Sequence, residues 1–125
     1  MTEISCKICH PSVKVFDVEK ALTCFERGDY EQAYELALPL AENGNVVAQC
    51  MVGSLLQVGF GTQADDLAAE KWLTCAGEKG CGLAWHNLST LYLTGGKTLS
   101  PNSDKARECR DKAIKNGFNW GYEDL

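Results

Sequence analysis

No stretch of this 125-residue chain approaches the roughly 20 consecutive apolar residues of a membrane-spanning helix. A basic stripe is missing too. Twelve Lys and Arg stand against 17 Asp and Glu, a net charge of -5, so the cationic surface that would neutralise nucleic-acid phosphates or anionic lipid is absent. Low-complexity runs and a disorder-prone composition are also lacking, with 45% hydrophobic and 23% charged residues. The opening MTEISCKICHPS has neither a positive leader nor the apolar core of a secretion signal, which sets a cytoplasmic location as the expectation. The 7 cysteines are odd in number and lack an export signal beside them, so thiols are expected before a disulfide scaffold.

What is present is a recurrence. The stretch from Ala48 to Gly80 returns in altered form from Ala84 to Gly117: Ala48 answers to Ala84, Gly44 to Gly80 and Gly59 to Gly95 at a separation of 36 positions, and Ala69 to Ala106 and Gly80 to Gly117 at 37. A period of this size belongs to helical repeat arrays. Residues 1–15 form a leader that precedes any helical periodicity, and 16–125 form one domain, with units at about 16–45, 46–81 and 82–117 and a cap at 118–125.

Each unit reads as two helices. In the first, Ala21, Cys24 and Phe25 share a stripe that breaks at Gly28-Asp29, and Ala33, Leu36, Ala37, Leu40 and Ala41 make a second stripe that stops at Gly44. In the second, Ala48, Val52, Leu55 and Leu56 give one apolar face, Gly53 leaves room for a neighbouring helix, and Gly59-Phe60-Gly61 turns the chain. Asp65 or Asp66 caps the following helix, whose inner face is Ala69, Trp72, Leu73 and Ala76. The third repeats the plan with Ala84, Leu88, Leu91 and Tyr92, then Gly95-Gly96, then Ala106, Cys109 and Ala113. Small residues recur because helices joined by a turn cross closely only where the contact side chains are small, and each pair leaves an apolar flank for the next to cover. Phe118, Trp120 and Tyr122 are expected to cover the last flank.

The combination of Ala48, Gly53, Gly59-Phe60-Gly61, Asp65, Ala69, Trp72, Ala76 and Gly80, echoed by Ala84, Tyr92, Gly95, Asp104-Lys105-Ala106, Ala113 and Gly117, resembles the Sel-1-like repeats, relatives of the tetratricopeptide repeats. The first unit, with its short Gly28-Asp29-Tyr30-Glu31-Gln32-Ala33 turn, looks more tetratricopeptide-like. The resemblance covers about residues 17–117; Ser89 and Cys109 depart from it. It implies an all-α, right-handed α-solenoid of about three antiparallel helix pairs that binds other proteins and has no catalytic activity of its own. Members serve as adaptors, and small bacterial ones as immunity or regulatory partners. First helices line the concave side of such a superhelix. On that face the expected partner-binding residues are Cys50, Met51, Ser54 and Gln57 in the second unit and His86, Asn87, Thr90 and Leu93 in the third, with Trp85 at the edge. A monomer that holds another protein is expected, with a basic partner favoured by the acidic net charge.

Three constellations compete with that expectation. Cys6-Lys7-Ile8-Cys9-His10 has the spacing of c-type haem attachment, and Cys6, Cys9 and His10 would supply three zinc ligands; packed or free thiols are the ordinary alternative, and no cofactor is expected. Cys50 and His86 lie one period apart, which invites a thiolate–imidazole dyad, yet helices 8–10 Å apart do not by themselves bring side chains into contact and no orienting third group is evident. Some secreted members of the resembled family pair cysteines in each repeat. Here the positions matching Cys75 and Cys81 are Pro39 and Asn45 in the first unit and Lys112 and Phe118 in the third, so only an isolated Cys75–Cys81 bridge stays open.

Overall fold

The computed structural model describes residues 15–118, side chains from Val18 onward. Six helices follow in order: α1 (Val15–Glu26), α2 (Tyr30–Glu42), α3 (Val46–Val58), α4 (Asp66–Glu78), α5 (Gly82–Thr94) and α6 (Ser103–Lys115). The described residues contain no strand. The fold is an all-α solenoid of three helix pairs, as the periodicity predicts.

The helix boundaries have local causes. Asn45, Asp65 and Asn102 each accept a hydrogen bond from the amide three residues on, at 2.9, 3.0 and 3.0 Å, and so satisfy one orphan donor at the starts of α3, α4 and α6. At the helix ends a recurrent pair of bonds closes the last turn: Gly44 N to Ala41 O and Asn45 N to Leu40 O, both 3.0 Å, after α2. The same pair recurs after α4 (Gly80 N to Gly77 O, Cys81 N to Ala76 O) and after α6 (Gly117 N to Ile114 O, Phe118 N to Ala113 O). This double bond requires a left-handed residue, and the period-setting glycines 44, 80 and 117 supply it with φ of 97°, 103° and 91°. The glycine spacing is therefore the helix-stop spacing.

Packing follows the small residues. Ala33, Ala37, Ala69, Leu73, Ala76, Ala84 and Ala113 are wholly buried, and α3 crosses α4 so closely that a Cβ on Gly53 would stand 2.7 Å from Leu73 Cγ. Consecutive helices pack throughout, and α1 with α3 and α3 with α5 also touch across unit boundaries, more than the second helices touch one another. The first helices thus form the inner layer of the stack.

The third unit is also tied to the second through its long turn. Asp66 accepts hydrogen bonds from Thr98 N at 2.7 Å and Leu99 N at 2.6 Å. Asp65 is thus the helix cap, and its neighbour anchors the α5–α6 turn. The amides of Leu99 and Thr98 hold the Asp66 carboxyl below the usual carboxylate range, against the opposing pull of desolvation.

Candidate functional site

The inner layer carries a groove of about 340 Å3 where α1, α3 and α5 run side by side. Two chemically distinct walls line it. One is aromatic: Phe25 at the end of α1 meets Tyr30 edge-on with ring centroids 5.5 Å apart, and Tyr30 stacks on Phe60 of the α3–α4 turn at 5.0 Å. Val58 extends this wall, and Val58 and Phe60 stand 55% and 50% exposed, which is unusual for large apolar side chains set next to one another. The turn carrying Phe60 is held against the first unit at Gly61, whose positive φ of 77° and missing side chain let it lie on the Tyr30 backbone.

The other wall is polar and joins two units. Asn87 Nδ2 donates to Ser54 Oγ at 2.8 Å, Ser54 Oγ donates to the Cys50 carbonyl at 2.8 Å, and Gln57 Nε2 donates to the Asn87 carbonyl at 3.3 Å. Thr90 stands one turn beyond Asn87 and is exposed. An apolar ledge beside a row of partly exposed donors and acceptors suits a peptide or helix, with burial giving affinity and the polar row fixing register.

Of the nine residues expected on this face, Ser54, Gln57, Asn87 and Thr90 line the groove. Cys50, Met51 and Trp85 do not point away from the core: they are 5%, 6% and 6% exposed. The cause for the α3 pair is that this helix packs against α1, α2, α4 and α5, so its buried face is much wider than one stripe. The Trp85 indole sits where Gly77 leaves a hollow, a Cβ there falling 2.6 Å from Trp85 Cε2, and Lys112 Nζ lies 4.5 Å from the ring centroid. Leu93 is 59% exposed but turns toward α6, beside Ser89, Arg107 and Arg110. His86 is half-buried, its ring 4.6 Å from that of Phe118, and burial lowers its pKa. Phe25, Tyr30, Val58 and Phe60 were not among the expected residues; the signal available for Phe60 was a large aromatic inside a glycine turn, where no packing pattern calls for one.

The Cys50 and Cys81 thiols perturb one another, Cys50 lowering the pKa of Cys81 while Cys81 and burial raise that of Cys50. Cys24, Cys50, Cys75, Cys81 and Cys109 are all thiols. Among the described residues no group of three or more His, Cys, Asp or Glu could hold a metal, and no helix is long and apolar enough to cross a membrane. Cys6, Cys9 and His10, together with Trp120 and Tyr122, lie outside the described residues.

Comparison with known proteins accords with this geometry. A family model described as Sel1 repeat matches residues 11–45, 46–81 and 83–118. The crystal structure of a Sel1 repeat protein from Oxalobacter formigenes is similar over 82% of this chain with a TM-score of 0.71 at 25% identity. The match covers 40% of that protein, so this chain spans under half of its length. No curated protein compared with the chain matches it.

Proposed function

This chain belongs to the Sel1 repeat family, whose repeats generally mediate protein–protein interaction and are typically non-catalytic, and on that premise we propose that it is a non-enzymatic binder that holds a segment of another protein in the groove along α1, α3 and α5. The observation that carries this reading is the juxtaposition of an aromatic ledge, made of half-buried Phe25 and Tyr30 and exposed Phe60, with the Ser54–Asn87–Gln57 polar row. Aromatic side chains at the centre of a contact are where binding energy concentrates, and the polar row would set the partner's direction. Adaptor and immunity or regulatory roles both use such a contact, with the chain acting as a cytoplasmic monomer. The net charge of -5 favours a basic partner.

The reading is tested with a partner captured by the wild-type chain. Phe60→Asp should weaken its binding by about tenfold or more, a change of ~1.4 kcal/mol. A charge reversal at exposed Lys71 of α4, on the opposite layer, should leave binding within about twofold. Equal loss from both, or from neither, removes the groove as the site.

A further inference from the structure

We infer that the flank of the third unit between α5 and α6 is a second docking site, which receives an acidic helix of a partner protein and pairs its carboxylates with Arg107 and Arg110. A cavity of about 190 Å3 marks the place. It is lined by Ser89 and Leu93 of α5 and by Ser103, Ala106, Arg107 and Arg110 of α6, and Ser89 Oγ ties the two walls by donating to the Ala106 carbonyl at 3.0 Å.

The repeat shows what such a flank does. At separations of 36 in the first helices and 37 in the second, the lining residues answer in order to Gly53, Gln57, Asp66, Ala69, Glu70 and Leu73 of the second unit. There the polar members all hold the unit that follows. Gln57 Nε2 donates to the Asn87 carbonyl at 3.3 Å, Asp66 accepts from Thr98 N and Leu99 N at 2.7 and 2.6 Å, and Glu70 Oε2 accepts from the Tyr92 hydroxyl at 2.5 Å. Leu73 is wholly buried. These slots are the socket by which one unit grips the first helix and the long turn of the next.

In the third unit the same slots face no further helix among the described residues, and their chemistry is inverted. Buried Leu73 gives way to half-buried Arg110, the Glu70 carboxylate to the Arg107 guanidinium, and the Asp66 carboxylate to the Ser103 hydroxyl. Where the second unit offers acceptors to a phenol and two amides, the third offers donors, so its complement must carry acceptors. Arg107 lies 3.7 Å from Asp104 with both side chains largely exposed, a pair worth little in water, and Arg110 makes no ion pair among the described residues. The cavity lining holds no carboxylate, which makes it a positive site on a chain of net charge -5. Guanidinium forks match carboxylates in geometry as well as charge. Beside them Leu93 is 59% exposed and supplies an apolar contact. The ligand described by these observations is a helix laid where a following first helix would lie, with Asp or Glu one turn apart facing the arginines and an apolar residue over Leu93. Its acidity sets it apart from the basic segment proposed for the groove along α1, α3 and α5.

The probe is a peptide selected on the full chain from a phage-displayed library of random sequences about 15 residues long, enough for about four helical turns. The enriched peptides should include a class with Asp or Glu recurring at three- or four-residue spacing beside a Leu or an aromatic residue. A synthetic, fluorescein-labelled peptide of that class should bind Arg107→Glu/Arg110→Glu about tenfold or more weakly than wild type, and Phe60→Asp within about twofold of wild type. Exchanging its acidic residues for Lys should restore binding to the double arginine variant and abolish binding to wild type. A selection that yields no acidic class overturns the inference, as does an acidic peptide that keeps wild-type affinity for the double variant. If circular dichroism shows that variant unfolded, crosslinking decides. Benzoylphenylalanine placed at Leu93 of the otherwise wild-type chain should capture the acidic peptide, and absence of capture there, with or without capture from Phe60, overturns the inference as well.

Discussion

Asn87 of α5 donates its side-chain amide to Ser54 Oγ of α3 at 2.8 Å, and its own backbone carbonyl accepts from Gln57 of α3 at 3.3 Å. Two residues 33 positions apart are thus joined on the exposed face of the inner layer, where a solenoid otherwise relies on apolar burial between units. The link costs little to expose, because both partners also meet water. It fixes the spacing of the polar groups that a ligand would read.

Removing that link should loosen the junction measurably. Asn87→Ala deletes one bond between half-buried groups and should cost about 1 kcal/mol, seen as a fall of roughly 3–6 °C in Tm. Combined with Ser54→Ala, the losses should be less than additive in a double-mutant cycle followed by chemical denaturation. Full additivity would show that the two side chains act independently.

Gly53 and Gly77 give a prediction of opposite sign to helix propensity. Replacing an interior helical glycine by alanine ordinarily stabilises by about 1 kcal/mol. Here a Cβ at 53 falls 2.7 Å from Leu73 Cγ and one at 77 falls 2.6 Å from Trp85 Cε2. Overpacking of this kind costs about 1–3 kcal/mol, so each alanine variant should unfold at lower denaturant concentration than wild type. For Gly77→Ala, a shift in tryptophan fluorescence should accompany the loss as Trp85 is displaced.

Asp66 predicts a pH dependence. Its folded-state carboxyl is held down by the Leu99 and Thr98 amides, so the folded chain binds fewer protons there than the unfolded chain. The stabilisation is therefore complete above the ordinary aspartate range near 3.9 and is lost as pH falls through the lowered value. Asp66→Asn should melt below wild type at neutral pH, and the two melting curves should converge in acid. A constant gap at all pH values would contradict an ionic role for the carboxylate.

Cys81 predicts a second one, at higher pH. Its alkylation rate in the native chain should follow a titration centred near 6, and in Cys50→Ala the midpoint should rise because the side chain that lowers it most is gone. For stability, the depressed group contributes fully above the unfolded thiol value of about 8.5 and its contribution fades as pH falls through 6. Cys50, held protonated when folded, costs stability once the unfolded thiol ionises. Together they predict that the thiol-dependent part of Tm rises from pH 6 toward about 8.5 and falls beyond it. Cys50→Ala/Cys81→Ala should flatten that profile.

How far the sequence discloses this molecule depends on which physical constraint is at work. The repeat was legible because close helix crossings exclude large side chains and because the stop after each second helix demands a left-handed glycine; Gly44, Gly80 and Gly117 therefore had to recur. The groove was legible only in part. Ser54, Gln57, Asn87 and Thr90 sit at spacings that a single apolar stripe leaves outside, whereas Cys50 and Met51 sit at equally plausible spacings and are covered by the other neighbours of α3. Burial on a central helix is a property of the stack. Phe60 was hidden for a different reason: its flanking glycines announce a turn, and nothing local says that the turn folds back onto Tyr30. The mutual influence of the Cys50 and Cys81 thiols needs the start of α5 beside α3, which period matching cannot supply, since it aligned Cys50 with His86.

The central claim is that a partner lies along α1, α3 and α5. The most direct measurement is site-specific photocrosslinking, with benzoylphenylalanine placed singly at Phe60, at Thr90 and at Lys71 in the full chain, mixed with a partner captured by the wild type. Positions 60 and 90 line or flank the groove and position 71 is exposed on α4. The account predicts covalent adducts from 60 and 90, to nearby residues of one partner segment, and none from 71. Adducts from 71 with none from 60 or 90 would place the partner on the outer layer and contradict it.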